Sequence, residues 1–297
     1  MAKERTGAAR LALATAGQDG ALKVARQFPN LVEPWSDEVI PDYLGSVDHT
    51  LEIADKATYE AQLRQEEVEL NLLVRRLADA KKSLVVVLQG RDGAGKTGAT
   101  MRITEALGYD FKIFHGVPIG PPTEEEFAHN YLWRFHKDER MPAYGQVRVF
   151  DRSWAERLLV ERVMNLTPEN LLQHSYGEIR VFEWLMHSQG SVVVKLWLDI
   201  TKGEQKKRFK ARRQDKPWKV STSDDVARSH WDDYTPAANE MFHRTGSDFA
   251  PWFIVSSEDK RYSRIAVLRT INQQLRDALG NGTAPATTFG ASAVPAS

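Results

Sequence analysis

The chain has 297 residues, 42% of them hydrophobic and 27% charged, with a formal net charge of zero and no cysteine. Such a composition supports a sizeable core. Balanced charge excludes a polycation built for DNA or RNA, so any anion-binding surface must be local. The missing thiols exclude disulfides and thiolate metal sites. No apolar stretch approaches the length of a membrane span, and the N-terminus lacks the continuous apolar core of a signal peptide. These features point to a soluble cytoplasmic protein without a membrane partner.

Residues 1–50 read as an N-terminal extension. Its first thirty or so positions are expected to be mobile, and Pro29, Pro34 and Pro41 then mark an extended segment laid over a surface. From about Asp55 to Lys82, Tyr59, Leu63, Leu70, Leu73, Val74 and Leu77 recur near the helical period, which predicts an amphipathic helix packed on a sheet.

Leu84-Val85-Val86-Val87-Leu88 predicts a buried strand, and Gly90-Arg91-Asp92-Gly93-Ala94-Gly95-Lys96-Thr97 follows it. That stretch fits the G-x-x-x-x-G-K-[ST] phosphate-binding loop, and a helix from about Thr97 to Leu107 completes its strand–loop–helix context. Gly90, Gly93, Ala94 and Gly95 would bring backbone N–H groups close to an anion, at a helix N-terminus that adds positive potential. Lys96 would reach a terminal phosphate, and the Thr97 hydroxyl would sit on a magnesium ion. Asp92 puts a carboxylate inside this anion-binding loop; a second magnesium ion between it and a phosphate would resolve the repulsion.

Phe111-Lys112-Ile113-Phe114 predicts a second strand. Thr123 with Glu124, Glu125 and Glu126 predicts a capping box opening a helix through Phe135, the glutamates serving cap and dipole. Val147-Arg148-Val149-Phe150 predicts a third strand ending in Asp151, an acid placed where a magnesium site needs one, with Arg152 and Ser153 beside the same pocket. Thr167-Pro168-Glu169 starts a helix whose buried face is Leu171, Leu172, Ile179, Phe182, Leu185 and Met186. His174 and His187 in it lack metal-ligand spacing and read as structural. Val192 to Leu198 is the fourth strand.

Thr201-Lys202-Gly203-Glu204 predicts a second capping box, and nine basic against two acidic residues fall within 202–219. In a chain of zero net charge that density favours an anion-binding lid, about 202–222, over a solvated basic face. Arg208 and Arg212, four apart, share a helix face and suit phosphate best, because a guanidinium grips oxygens in pairs. A helix from about Asp224 to Thr245 carries Trp231 and Tyr234; Pro251 to Val255 is the fifth strand; a last helix runs from Lys260 to Leu279. Residues 280–297 read as a disordered tail. The expected architecture is one α/β domain over 51–279, a P-loop kinase-like three-layer sandwich with a five-stranded parallel sheet and a helical lid.

From about residue 50 to 279 the chain resembles the family-2 polyphosphate kinases. The likeness rests on Leu88-Gln89-Gly90-Arg91-Asp92-Gly93-Ala94-Gly95-Lys96, Tyr131-Leu132-Trp133-Arg134 and Val149-Phe150-Asp151-Arg152-Ser153-Trp154. Trp231-Asp232-Asp233-Tyr234 and Ala250-Pro251-Trp252 match as well. Pro121-Pro122-Thr123-Glu124-Glu125-Glu126 and Val160-Glu161-Arg162-Val163 look most like the polyphosphate:AMP phosphotransferase branch, whereas Glu156 matches an acidic position of the branch acting on both AMP and ADP. The resemblance implies phosphoryl transfer between inorganic polyphosphate and an adenine or other purine nucleotide, with magnesium, by a homo-oligomer. It implies Asp92 and Asp151 as metal and phosphate-handling acids, Lys96, Arg134 and Arg152 as phosphate clamps, and Glu156 with Arg152 at the nucleotide. The residues by themselves reach only as far as magnesium-dependent phosphoryl transfer. They leave open an ATP-dependent nucleoside monophosphate kinase and a non-catalytic polyphosphate-binding protein.

Overall fold

Leu84, Val86 and Leu88 bury into one hydrophobic core and Val85 and Val87 into another, from the two faces of a single strand, β3 (Ser83–Gly90). The two-residue period of a strand separates them, and a strand apolar on both faces must sit in the middle of a covered sheet. The structure, a computed structural model, describes residues 15–16, 20–28, 30–32, 38–137, 140–215 and 229–280. Residues 1–14, 17–19, Pro29, Pro34, the lid beyond Asp215 and the tail after Gly280 lie outside the described residues, whereas residues 15–16 and 22–24, inside the stretch expected to be mobile, are paired strands.

Four strands run parallel to β3 in one sheet: β4 (Phe114–Pro118), β5 (Val147–Asp151), β6 (Ser191–Asp199) and β7 (Trp252–Ser256). Two short strands, β1 (Thr15–Ala16) and β2 (Leu22–Val24), extend it antiparallel beyond β7, giving the order β1-β2-β7-β6-β3-β5-β4. The five expected parallel strands are therefore contiguous in a seven-stranded mixed sheet, from β4 at one edge to β7, beyond which the two short strands are added. The N-terminal segment reaches the edge because Leu22, Lys23 and Val24 pair with Ile254, Phe253 and Trp252, and Val24 is wholly buried. Pairing satisfies backbone groups that an open edge would leave exposed.

The second strand lies further along than the sequence predicts. Residues 111–113 form a turn in which Asp110 Oδ1 accepts from Lys112 N–H, and Phe111 is 80% exposed. Asp side chains compete with strand pairing in this way. The strand itself occupies the sheet edge, where its terminal Pro118 is tolerated.

Helices cover both faces. On one lie α1 (Lys56–Arg75), α2 (Lys96–Ala106) and, at the C-terminus, α9 (Lys260–Leu279). All six apolar residues of the expected α1 stripe are buried, though the helix ends at Arg75 and Leu77 packs from the following turn. Asp55 and Asp259 cap α1 and α9, accepting from Thr58 and Tyr262 N–H. The opposite face carries α6 (Glu169–Ser188) and α8 (Trp231–Thr245), with a short 3₁₀ turn, Trp154–Leu158, and α5 (Val160–Val163). Leu171 and Leu185 of α6 are 51% and 45% exposed, so the stripe read from sequence was two residues too wide. Thr167 does not cap α6; its hydroxyl donates to Glu161 instead.

The helix expected from Thr123 to Phe135 is two, α3 (Glu124–Phe127) and α4 (Trp133–His136). The capping box between Thr123 and Glu126 is present. Asn130 breaks the run: its side chain accepts from Leu132 N–H and its carbonyl from Trp133 N–H. The basic helix α7 (Lys202–Asp215) starts on Thr201, which accepts from Glu204 N–H. The reciprocal half of that expected box is made by Glu258, which accepts from Thr201 N–H.

One buried ion pair ties the second core together. Lys195 of β6 donates to Glu183 of α6 at 2.7 Å and to the Thr245 carbonyl at 2.8 Å, while Glu183 accepts from Trp154 Nε1 at 2.8 Å. Both charged side chains are fully buried. Burial pushes the Glu183 carboxyl up and the Lys195 ammonium down, and each partner opposes the shift in the other. Lys195→Met should destabilise the protein by about 3–5 kcal/mol, because it strands the carboxylate. The double variant Glu183→Leu/Lys195→Met should recover much of that loss. Urea denaturation of the three proteins checks both.

Candidate active site

The loop after β3 is shaped by how near it must pass to β6. A Cβ on Gly90 would lie 2.2 Å from the Leu198 carbonyl oxygen, and Gly90 has φ +141°, so no side chain fits there. Gly93 and Gly95 turn through φ +86° and +108° and deliver the chain to the start of α2. The first N–H groups of a helix have no partner within it. They stand at the carboxyl ends of β3, β5 and β6, where the connection after β3 runs through α2 on one face of the sheet and the connection after β5 through α6 on the other.

Side chains then converge. Register pairs Leu88 with Asp151, so the end of β5 stands beside the loop. Thr97 Oγ1 donates to Asp151 Oδ2 at 3.2 Å. Lys96 Nζ lies 2.8 Å from the Gly90 carbonyl oxygen and 3.5 Å from Asp92 Oδ1. Arg152 donates to the same Asp92 oxygen at 3.1 Å and stands 3.7 Å from Glu156. Its backbone has φ +67°, a conformation a non-glycine residue adopts at some cost, and one that turns the guanidinium back over the loop. Two cations thus answer the carboxylate in the anion-binding loop. Burial pushes the Asp92 carboxyl up, but Lys96 and Arg152 outweigh it and hold the group below the usual carboxylate range. Burial also pushes Glu156 up, against Arg152 and Lys96. Asp92, Lys96, Arg152 and Glu156 line one cavity with Trp231 and Tyr234 of α8.

Two expected phosphate clamps are placed elsewhere. Arg134 donates to the Gly120 carbonyl at 3.0 Å and pairs with Glu126 at 3.1 Å, outside that cavity. Arg208 is buried and directed at backbone carbonyls of the loop, including Gly93 at 3.0 Å. Arg212, four residues on, stacks its guanidinium on the Phe209 ring, 5.2 Å from the centroid. α7 packs Arg208 and Phe209 against the loop, and Arg212, half-buried on the Phe209 ring, adds its charge to those that hold down the Asp92 carboxyl.

Sequence reasoning missed three contributors. Arg91 is buried against Asp199 at the end of β6, 3.3 Å away, and lies 3.8 Å over the Trp231 ring while donating to Thr235 at 2.8 Å. Asp199 also accepts from Trp197 Nε1 at 2.9 Å and pairs with His49 at 3.3 Å. An acid ending an apolar strand was the signal that found Asp151, and it applies equally to Asp199. Gln205 donates to the Asp92 carbonyl at 2.9 Å, which no sequence pattern announces. Among the described residues, no group of three or more carboxylate, imidazole or thiol ligands gathers around a point. No described helix is long and apolar enough to cross a membrane.

Residues 53–281 match the family model of polyphosphate kinase 2. A polyphosphate:AMP phosphotransferase of Pseudomonas aeruginosa is 43% identical over 226 residues, covering 75% of this chain and 45% of that protein. A GDP-polyphosphate phosphotransferase of Mycolicibacterium smegmatis is 36% identical over 218 residues, covering 73% and 76%. The crystal structure of polyphosphate kinase 2 from Arthrobacter aurescens superposes with a TM-score of 0.73 at 34% identity, over 83% of this chain and 88% of that one. The chain spans about half the length of the Pseudomonas relatives it matches. With the matched residues taking in the whole sheet from β3 to β7 and the loop at its centre, the chain belongs to the polyphosphate kinase 2 family.

Proposed function

We propose that this protein transfers a phosphoryl group between inorganic polyphosphate and a purine nucleotide, with magnesium. The observation that carries the reading is the convergence of Lys96, Arg152 and Asp92 on one side of the phosphate loop and Thr97 with Asp151 on the other. Phosphoryl transfer asks for positioning and charge neutralisation more than for covalent help. A phosphate acceptor is already ionised, so no general base is needed. The relatives' names supply the substrate classes: AMP in the Pseudomonas proteins, GDP in the Mycolicibacterium protein and ADP in two Rhizobium proteins.

Magnesium follows from the donor chemistry. Two carboxylates nearly cancel the two cations at the loop, so a polyanion entering there needs further positive charge. Magnesium takes one or two carboxylates together with substrate phosphates and keeps several waters. Asp151, with the Thr97 hydroxyl 3.2 Å away, and Asp92 are oxygen donors of that kind. When bound, the ion would supply charge for the developing oxyanions. Lys96 neutralises the transferring group, and Arg152 holds Asp92 and reaches toward the nucleotide. Trp231 and Tyr234 present apolar surface beside them. Glu156, made easier to protonate by burial, sits beneath the same cavity and is suited to hydrogen bonding within it.

The test is nucleotide analysis after mixing the protein with polyphosphate, magnesium and AMP, ADP, GMP or GDP in the absence of ATP. New phosphoanhydride in one of these is the expected outcome. Turnover with ATP but none with polyphosphate would move the reading to a nucleoside monophosphate kinase.

Lys96→Ala should lower turnover by about 10²–10³ with the fold intact, the usual effect of removing a charge-stabilising donor. Initial rates and a thermal melt check it, and near-normal turnover in the folded variant would remove this loop from the reaction. Asp92→Asn and Asp151→Asn should each reduce turnover and raise the magnesium needed for half-maximal rate. A magnesium titration unchanged in both would refute their role at the ion.

A further inference from the structure

We infer that Arg208 and Gln205 of α7 are positioning residues that set the shape of the phosphate loop, and that Arg208 does not touch the polyanion. The inference rests on the reading just given for the loop and names the parts that hold it.

A guanidinium has five N–H donors and no acceptor. Arg208 engages all of them within the protein. Nε donates to Glu204 at 2.8 Å; one terminal nitrogen donates to the Gly93 and Ala94 carbonyls at 3.0 and 3.2 Å; the other donates to the Ser257 and Glu258 carbonyls at 2.7 and 2.9 Å. Arg208 is 9% exposed. No donor is left for a phosphate oxygen.

Those bonds act on the reactive face from behind. Gln205 Nε2 holds the Asp92 carbonyl at 2.9 Å, so three successive carbonyls, of Asp92, Gly93 and Ala94, are drawn toward α7. Each trans peptide is planar, so a carbonyl fixed on one side points the next residue's N–H to the other. The Ala94 N–H is already bonded to the Arg91 carbonyl at 3.0 Å. The Gly93 and Gly95 N–H groups therefore face away from α7, into the crevice. Phe209 closes the same contact, 3.1 Å from where a Cβ on Gly93 would lie. Glycine at that position moves freely through φ space unless something restrains it. Arg208 and Gln205 supply the restraint, with Ser257 Oγ donating to the same Ala94 carbonyl at 2.6 Å, and Asp92, whose carbonyl Gln205 holds, carries the carboxylate between Lys96 and Arg152.

The experiment compares the wild-type chain with Arg208→Met, Arg208→Lys, Gln205→Met and, as a direct phosphate ligand for reference, Lys96→Ala. Turnover is measured against polyphosphate and nucleotide. Tripolyphosphate affinity is measured by calorimetry over a salt series, and thermal melts accompany both. Misplacing a reacting group by an ångström can cost about 10² in rate. Arg208→Met should lower kcat by about that factor and weaken tripolyphosphate binding. The dependence of that binding on salt should match wild type, because no ion pair with the ligand has been removed. Lys96→Ala should flatten it. Arg208→Lys, with a single ammonium for four carbonyls, should rescue kcat in part, and Gln205→Met should show a smaller loss of the same kind. If Arg208→Met does not fold, Arg208→Lys and Gln205→Met carry the comparison. A salt dependence flattened in the Arg208 variants as in Lys96→Ala would make Arg208 a phosphate ligand and overturn the inference. So would a lowered melting temperature with kcat and affinity unchanged. Wild type that binds tripolyphosphate without turning over polyphosphate would end the functional reading alone, leaving the binding comparison to decide the role of Arg208. Wild type that does neither would overturn both.

Discussion

Everything at this site depends on the Asp92 carboxylate being held between Lys96 and Arg152. A phosphate-binding loop works by presenting N–H groups and a positive helix end to an anion, and a carboxylate within it opposes both. Two cations at 3.1 and 3.5 Å reverse that opposition. They come from different parts of the chain, Lys96 from the start of α2 and Arg152 from the turn after β5. The loop and the end of β5 thus form one electrostatic unit, and the unusual backbone of Arg152 is the conformational cost of closing it.

The sheet makes this closure possible. Parallel strands send their carboxyl ends to one edge, and the helices that follow β3 and β5 depart to opposite faces of the sheet, which leaves a crevice there. The edge is then held from outside by two arginines with opposite directions of reach. Arg208 comes from α7 to the loop's carbonyls, and Arg91 goes from the loop to Asp199, Trp231 and Thr235. The helices on either side of residues 216–228 are in this way both fastened to the phosphate loop. Deeper in the second core, Lys195, Glu183 and Trp154 join β6, α6 and the turn that follows Arg152, so that turn is braced from below as well.

The strand–loop–helix core was legible in the sequence because each of its signals is local. The apolar run of β3, the glycines of the loop and the stripe on α1 depend on residues a few positions apart. The misreadings arose where two local signals competed. Phe111, Ile113 and Phe114 looked like one strand, but Asp110 holds residues 111–113 in a turn; Asn130 divides a helix that composition would continue. Arg134 and Arg208 carried the right charge for phosphate, yet each meets protein acceptors first. Charge shows that an arginine needs acceptors and does not show which ones.

The sequence by itself determined the parallel α/β core, the position of the phosphate loop, the acid at the end of β5 and the family, because these are patterns of adjacent residues. Only the tertiary structure decided the antiparallel strands added at the edge, the pairing of Asp92 with Arg152 across 60 positions, and the turning of Arg208 toward the loop across 115. The reason is that a side chain's partner is fixed by which strand ends and helix faces packing brings within hydrogen-bond reach, and a one-dimensional pattern carries no distance between them.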